Sequence, residues 1–307
     1  MLARMAGAER SRGASFACVA LAYLAGGAAA AAAARAVAGA PAWAAVAAAD
    51  AAATLAVFAF SRAFDNSSVY DPYWSVAPMV IAPALALGPG RASGAALPAV
   101  RTALVLVLVL AWGARLTWNW ARGWRGLHHE DWRYVDLRSQ TGRGYWLVSL
   151  VGLHFMPTIC VYAGCLPLLA VFAGGAARPA GPLDAAAALV TAAAVALEAT
   201  ADEQLRAHRL AHPAPAPTLA TGLWAFCRHP NYLGEILFWW GLFLFGLAAD
   251  PRAWWTGAGA LVITALFVFV SVPLAEKRAL ARRPEYALHV KRVPALLPRP
   301  WRRAGAA

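Results

Sequence analysis

The chain has 307 residues, of which 61% are hydrophobic and only 14% charged, and its mean hydropathy is +0.54. A soluble domain carries about 25% charged residues, so this composition excludes an ordinary soluble enzyme and describes a polytopic membrane protein. The net charge of +12 would suit nucleic acid, but the Lys and Arg residues gather between alternate apolar runs. That is the positive-inside bias, and no nucleic-acid partner is needed to account for it.

Apolar runs of about 18 residues or more mark candidate spans. They are read at 14–34, 41–60, 75–90, 102–120, 146–172, 183–204, 232–249 and 253–274. The third is short and holds Pro78 and Pro83, so the expectation is a bundle of seven or eight transmembrane helices, all-α, with both termini cytoplasmic. In that topology the outer loops hold only Arg35, Arg91, Arg101, Arg178 and Arg252. The first run resembles a signal peptide, but with further spans behind it we read an uncleaved helix. The whole chain, 1–307, is one integral membrane domain, placed in the cell (inner) membrane if the source is bacterial.

Asp71-Pro72-Tyr73-Trp74 stands at the entry to the third span. Asp71 is expected either to cap that helix, with Pro72 at its first position, or, if protonated, to bond a substrate carbonyl. The fourth span ends in Arg115, Asn119 and Arg122, which fall on one helical face. They read equally as a basic anchor and as a wall facing a cofactor. The loop that follows, Arg122 to Gly144, mixes charge with Trp124, Trp132 and Tyr134.

On the sixth span Glu198, Asp202 and Arg206 recur every four residues and share a face. The spacing alone is shared by a salt-bridged helix end and by a site, although Glu198 lies deep for a lipid-facing carboxylate. A Pro-rich turn, 212–217, then returns the chain to the stretch Gly222–Glu235, which carries Arg228, His229, Pro230, Asn231, Tyr232 and Glu235. Pro230 suits the first turn of a helix, whose free N–H groups, with Arg228 beside them, would favour an anion. Beyond the last span the tail is basic and suits anionic lipid head groups.

The four cysteines, Cys18, Cys160, Cys165 and Cys227, show no metal-ligand spacing. His208 and His212 have ligand spacing, but the seven His residues are too scattered for a histidine-box site, so no metal is expected. No G-x-G-x-x-G or phosphate-loop motif occurs. A nucleotide would have to be held by helix ends and inner loops.

The run Gly222-Leu223-Trp224 through Arg228-His229-Pro230-Asn231-Tyr232-Leu233-Gly234-Glu235 resembles the C-terminal domain of the steroid 5α-reductase family, with its poorly characterised bacterial relatives. The likeness covers Glu198 to the end closely and Asp71 to Tyr134 more loosely. It implies an NADPH-dependent reductase of a conjugated C=C bond in a lipophilic, steroid-like or other lipid substrate. The part 183–303 would bind NADPH and the part 41–144 would face the substrate. By position, Asp202, Arg206, Asn231, Glu235 and Tyr286 match the family's cofactor contacts, and Glu198 falls where some members have Asn. Arg115, Asn119, Arg122, Arg228, His229 and Tyr232 join this expected cofactor set. Asp71 matches the carboxylic acid that contacts the substrate carbonyl. Where those members place a carbonyl-polarising Tyr this chain has Trp112, so Tyr73 or Tyr134 would take that part. The R-H-P-x-Y-x-G core also resembles isoprenylcysteine carboxyl methyltransferases, which implies S-adenosylmethionine as the alternative cofactor.

Overall fold

The computed structural model describes residues 11–88, 98–174, 178–212, 214 and 216–298. Among these every regular element is helical. The longer α-helices, in chain order, are α1 (Arg12–Ala36), α2 (Ala42–Ala63), α3 (Tyr73–Leu87), α4 (Ala99–Gly123), α5 (Trp132–Thr141), α6 (Met156–Phe172), α7 (Pro182–Ala211), α8 (Pro230–Ala249), α9 (Gly257–Leu266), α10 (Val272–Arg282) and α11 (Tyr286–Arg292). A π-helical stretch, Ser149–Phe155, runs into α6, and another, Phe267–Ser271, joins α9 to α10. Seven helical stretches are long and apolar enough to cross a membrane.

Contacts between helix ends fix the directions. Arg12, at the start of α1, donates to the carbonyls of Ala121, Arg122 and Trp124, at the end of α4. The backbone N–H groups of Arg228 and His229 donate to Pro294 and Ala295. Both described ends of the chain therefore lie on the face that holds the loops after α2, α4 and α7. The opposite face is closed by a buried pair: Arg101 grips Asp184 through two bonds of 2.6 and 2.9 Å and also reaches the carbonyls of Arg178, Pro179 and Ala248. Arg101 was expected in an outer loop. It lies instead in the first turn of α4, 1% exposed, because Asp184 at the start of α7 is there to receive it.

Small residues let the helices approach closely. A Cβ on Gly234 would meet Glu198 and the Ala194 carbonyl, one on Gly241 would meet Thr191, and one on Gly259 would meet the backbone of Ala163. Trp112, Trp239, Phe172, Phe238 and Phe245 fill the centre. Leu24, Leu189 and Phe269 stay more than two-thirds exposed, as lipid-facing residues do.

The third crossing departs from a plain helix. Its helix is Tyr73–Leu87, and 15 residues rise about 22 Å, short of a hydrocarbon core of about 30 Å. The shortfall is met by the 3₁₀ turn Ser67–Tyr70, which is wholly buried. Non-helical backbone at membrane depth needs protein around it, and the loop after α4 supplies it. Asn66 donates to the carbonyls of Leu127 and His129, Ser67 N–H donates to Glu130, and Asp131 N–H donates to the Ser68 hydroxyl. Asp65 makes the bend at φ 52°, a left-handed conformation that Asp tolerates better than most residues. The helix-capping role expected for Asp71 is not seen: Asp71 itself has helical geometry, and its carboxylate turns to Tyr134.

Candidate functional site

Three helices carry polar pairs four residues apart: Arg115 and Asn119 on α4, Glu198 and Asp202 on α7, Asn231 and Glu235 on α8. The common pitch lets them meet in two layers. In the layer nearer the loops, Asp202 accepts from Asn119 at 3.1 Å and from Asn231 at 3.2 Å. It also accepts from Arg115 Nη1 at 2.8 Å. In the deeper layer Arg115 Nη2 forms an ion pair with Glu198 Oε2 at 2.7 Å.

Glu235, 3% exposed, lies beside Glu198 and takes three indole N–H groups. Trp74 donates at 2.7 Å and Trp239 at 2.9 Å to one oxygen, and Trp112 donates at 3.0 Å to the other. Its acceptor capacity is largely committed to holding α3, α4 and α8 together. One buried acceptor in the cluster, Asn231 Oδ1, has no hydrogen bond. A buried acceptor without a partner is costly, and this one suits a donor brought by a ligand.

Asp71 and Tyr134 meet under the loop after α4. The Tyr134 hydroxyl donates to Asp71 Oδ1 at 2.7 Å. Tyr73 points elsewhere. Its ring stacks on Tyr70 at 4.7 Å, and its hydroxyl donates to Asp50 Oδ1 at 2.6 Å. Tyr23 of α1 completes this aromatic wall against Tyr73, at 6.2 Å between ring centres.

Arg228 and His229 belong to a third group. Both bond Glu276, at 2.7 and 3.0 Å, and Arg228 also bonds the carbonyls of Val290 and Val293. The Arg228 charge expected at an anion site is thus spent on fastening the tail over the start of α8. Tyr286 packs in this group beside His289, and Tyr232 stacks on His229 at 5.1 Å. Arg206 is turned outward to Glu203, at 2.7 Å, and Arg122 pairs with the same carboxylate at 2.6 Å. The structure therefore brings Arg115, Asn119, Glu198, Asp202, Asn231 and Glu235 together, sets Asp71 with Tyr134 next to them through Trp74, and leaves Arg206, Arg122, Arg228, His229 and Tyr286 at the rim.

Sequence reasoning missed several members. Asp50, a lone acid in an Ala-rich span, was a readable signal; it is buried, with Oδ2 unpartnered. Trp74 and Trp239 carried no such signal, since an indole in an apolar helix reads as packing. Arg283, whose charge bears on Arg209, was visible only as a basic residue of the tail. Among the described residues no group of three His, Cys, Asp or Glu is arranged to hold a metal ion.

The profile of a family described as protein of unknown function, DUF1295, matches residues 57–293. An uncharacterised protein of Schizosaccharomyces pombe is 28% identical over 220 residues, which is 65% of this chain and 64% of that protein. The chain thus spans just under two thirds of the length of this curated relative. No solved structure matches the chain.

Proposed function

We propose, from the premise that this chain belongs to the DUF1295 family, that it is a membrane-embedded reductase using NADPH to saturate a C=C bond conjugated to a carbonyl in a lipophilic substrate. The observation that carries the reading is the junction at Asp202, where α4, α7 and α8 converge beside the buried Asn231 Oδ1, which has no hydrogen bond. The resemblance of Gly222–Glu235 to the steroid 5α-reductase family supplies the reaction class.

The residues present fit the cofactor in two parts. Asn231 Oδ1 suits a donor of a nicotinamide riboside, an amide N–H or a sugar hydroxyl. Two carboxylates, Glu198 and Asp202, on the Arg115 guanidinium and a third, Glu235, beside Glu198 repel phosphate, so the phosphates belong at the rim. Arg209 pairs with no carboxylate among the described residues and stands near Arg283, making a basic place for them. NADPH, when bound, supplies the hydride. Asp71, when protonated and braced by Tyr134, donates a hydrogen bond to the substrate carbonyl oxygen. The aromatic wall of Tyr23, Tyr70 and Tyr73 excludes water. The positive-inside bias assigns the loop face to the cytosol, from which the cofactor enters.

One observation favours a second reading. The net negative cluster also suits the sulfonium of S-adenosylmethionine, the cofactor implied by the methyltransferase resemblance. Parallel titration of the purified protein with NADPH and S-adenosylmethionine separates the two. Saturable NADPH binding without S-adenosylmethionine binding is expected; S-adenosylmethionine binding alone overturns the reductase.

A further inference from the structure

The tail after the last span folds back to the membrane boundary. The helical stretch Pro251–Arg282 has 32 residues, which rise about 48 Å against a hydrocarbon core of about 30 Å. Its end, α10, therefore stands clear of the core on the loop face. α8 has 20 residues and rises about 30 Å, so its start at Pro230 marks the edge of the core. Just ahead of it the N–H groups of Arg228 and His229 donate to the carbonyls of Pro294 and Ala295 at 2.9 and 3.0 Å. The Arg228 guanidinium donates to the carbonyls of Val290 and Val293. By Ala295 the chain has thus returned from α10 to the boundary. One face of α11 is taken up in this docking, with Tyr286 buried and Val290 against Arg228. The other face carries Leu288, Lys291 and Arg292, three and four residues apart and all exposed. Leu297 and Phe226, two residues beyond Ala295 and two before Arg228, are exposed apolar side chains at the same level. Glu276 is taken by Arg228 and His229, and among the described residues no carboxylate pairs with Lys291 or Arg292.

We propose that this face of the tail docks on anionic phospholipid at the bilayer surface, and that the contact holds the strap of residues 293–295 against the start of α8. The occupant follows from place and charge together. The strap lies at the edge of the hydrocarbon core, where lipid phosphates are. Basic side chains stand beside exposed apolar ones, the combination that suits the boundary between head groups and acyl chains. The charge is of one sign, so an anionic surface attracts the face and a zwitterionic one offers little. Each Lys or Arg near an anionic surface strengthens the attraction about fivefold. The strap fastens the residues that lead into α8, whose first turn sends Asn231 to Asp202. Lipid composition at this face is thereby linked to the order of the helix start that bears the polar junction. The docking stands whichever cofactor that junction takes.

The test is amide hydrogen exchange of the full-length protein in nanodiscs of phosphatidylcholine alone and of phosphatidylcholine mixed with phosphatidylglycerol. The Arg228 and His229 amides, bonded to the strap carbonyls, report the strap directly. They are expected to exchange severalfold more slowly in the anionic nanodiscs. The difference should shrink in about 1 M salt, where the screening length is about 3 Å. Lys291→Gln combined with Arg292→Gln should remove the lipid difference. Equal exchange in the two nanodiscs, or a difference undiminished in the double variant, would overturn the proposal. Glycerol phosphate added to the phosphatidylcholine nanodiscs should change nothing; protection by it would assign the face to a free phosphate ester instead of the membrane. Should the double variant fail to fold, the two lipids compared at low and high salt in the unaltered protein decide the matter.

Discussion

The indole N–H of Trp112 lies 3.0 Å from Glu235 Oε2 and points at it from the neighbouring helix, with the ring stacked on Phe238 at 4.2 Å between centres. Trp112 stands where the family resemblance places a Tyr. In this chain it holds the carboxylate that joins α3, α4 and α8, and in the proposed reductase reading the substrate-facing part falls to Asp71 with Tyr134.

Glu235→Gln should therefore destabilise the protein. The amide offers one acceptor oxygen to three indole donors and adds two donors of its own. Leaving buried donors unpaired costs about 1–3 kcal/mol each, and the expected readout is a lower unfolding midpoint in detergent with a changed near-ultraviolet tryptophan signal. An unchanged midpoint and spectrum would show that the indoles do not depend on the charge.

Asp202→Ala and Arg206→Ala should behave differently although the two residues share a helical face. Asp202 holds side chains from two other helices, so its loss should weaken nucleotide binding by tenfold or more. Arg206 pairs with Glu203 in solvent, and such a pair contributes about 0–1 kcal/mol. Nucleotide titration of both variants checks the contrast.

Gly259→Ala should loosen the packing of α9 on α6, because the added methyl would run into the Ala163 carbonyl and the backbone can yield only by separating the helices. Overpacking of this kind costs about 1–3 kcal/mol. Gly27, in the middle of α1, has open space at the same position, so Gly27→Ala should be neutral or stabilising by up to about 1 kcal/mol. Thermal unfolding of the two variants side by side measures the difference.

The residue spacing made part of this site legible. Arg115 with Asn119, Glu198 with Asp202, and Asn231 with Glu235 are each visible as pairs four apart at the same end of an apolar run, and a common pitch on three helices is enough to predict that they meet. The fate of each charge is another matter. Arg228 and Arg115 look alike in sequence, yet Arg228 is consumed by Glu276 and by tail carbonyls more than 60 positions away, a pairing that only tertiary packing creates. The short third run likewise announced an irregular crossing, but the buried 3₁₀ turn ahead of it reads in sequence as an ordinary polar loop, because Asn66, Ser67 and Ser68 find their partners in residues 127–131.

That turn bears on how the chain enters a membrane during synthesis. A helix as short as α3 does not cross by itself, and in the turn leading into it the Asn66 amide, the Ser67 N–H and the Ser68 hydroxyl lack these partners until Leu127, His129, Glu130 and Asp131 have been made and folded back. The third crossing is therefore not an autonomous insertion event. It becomes secure only when α4 is in place and its following loop has closed, so α3, α4 and that loop enter the bilayer as one cooperative unit.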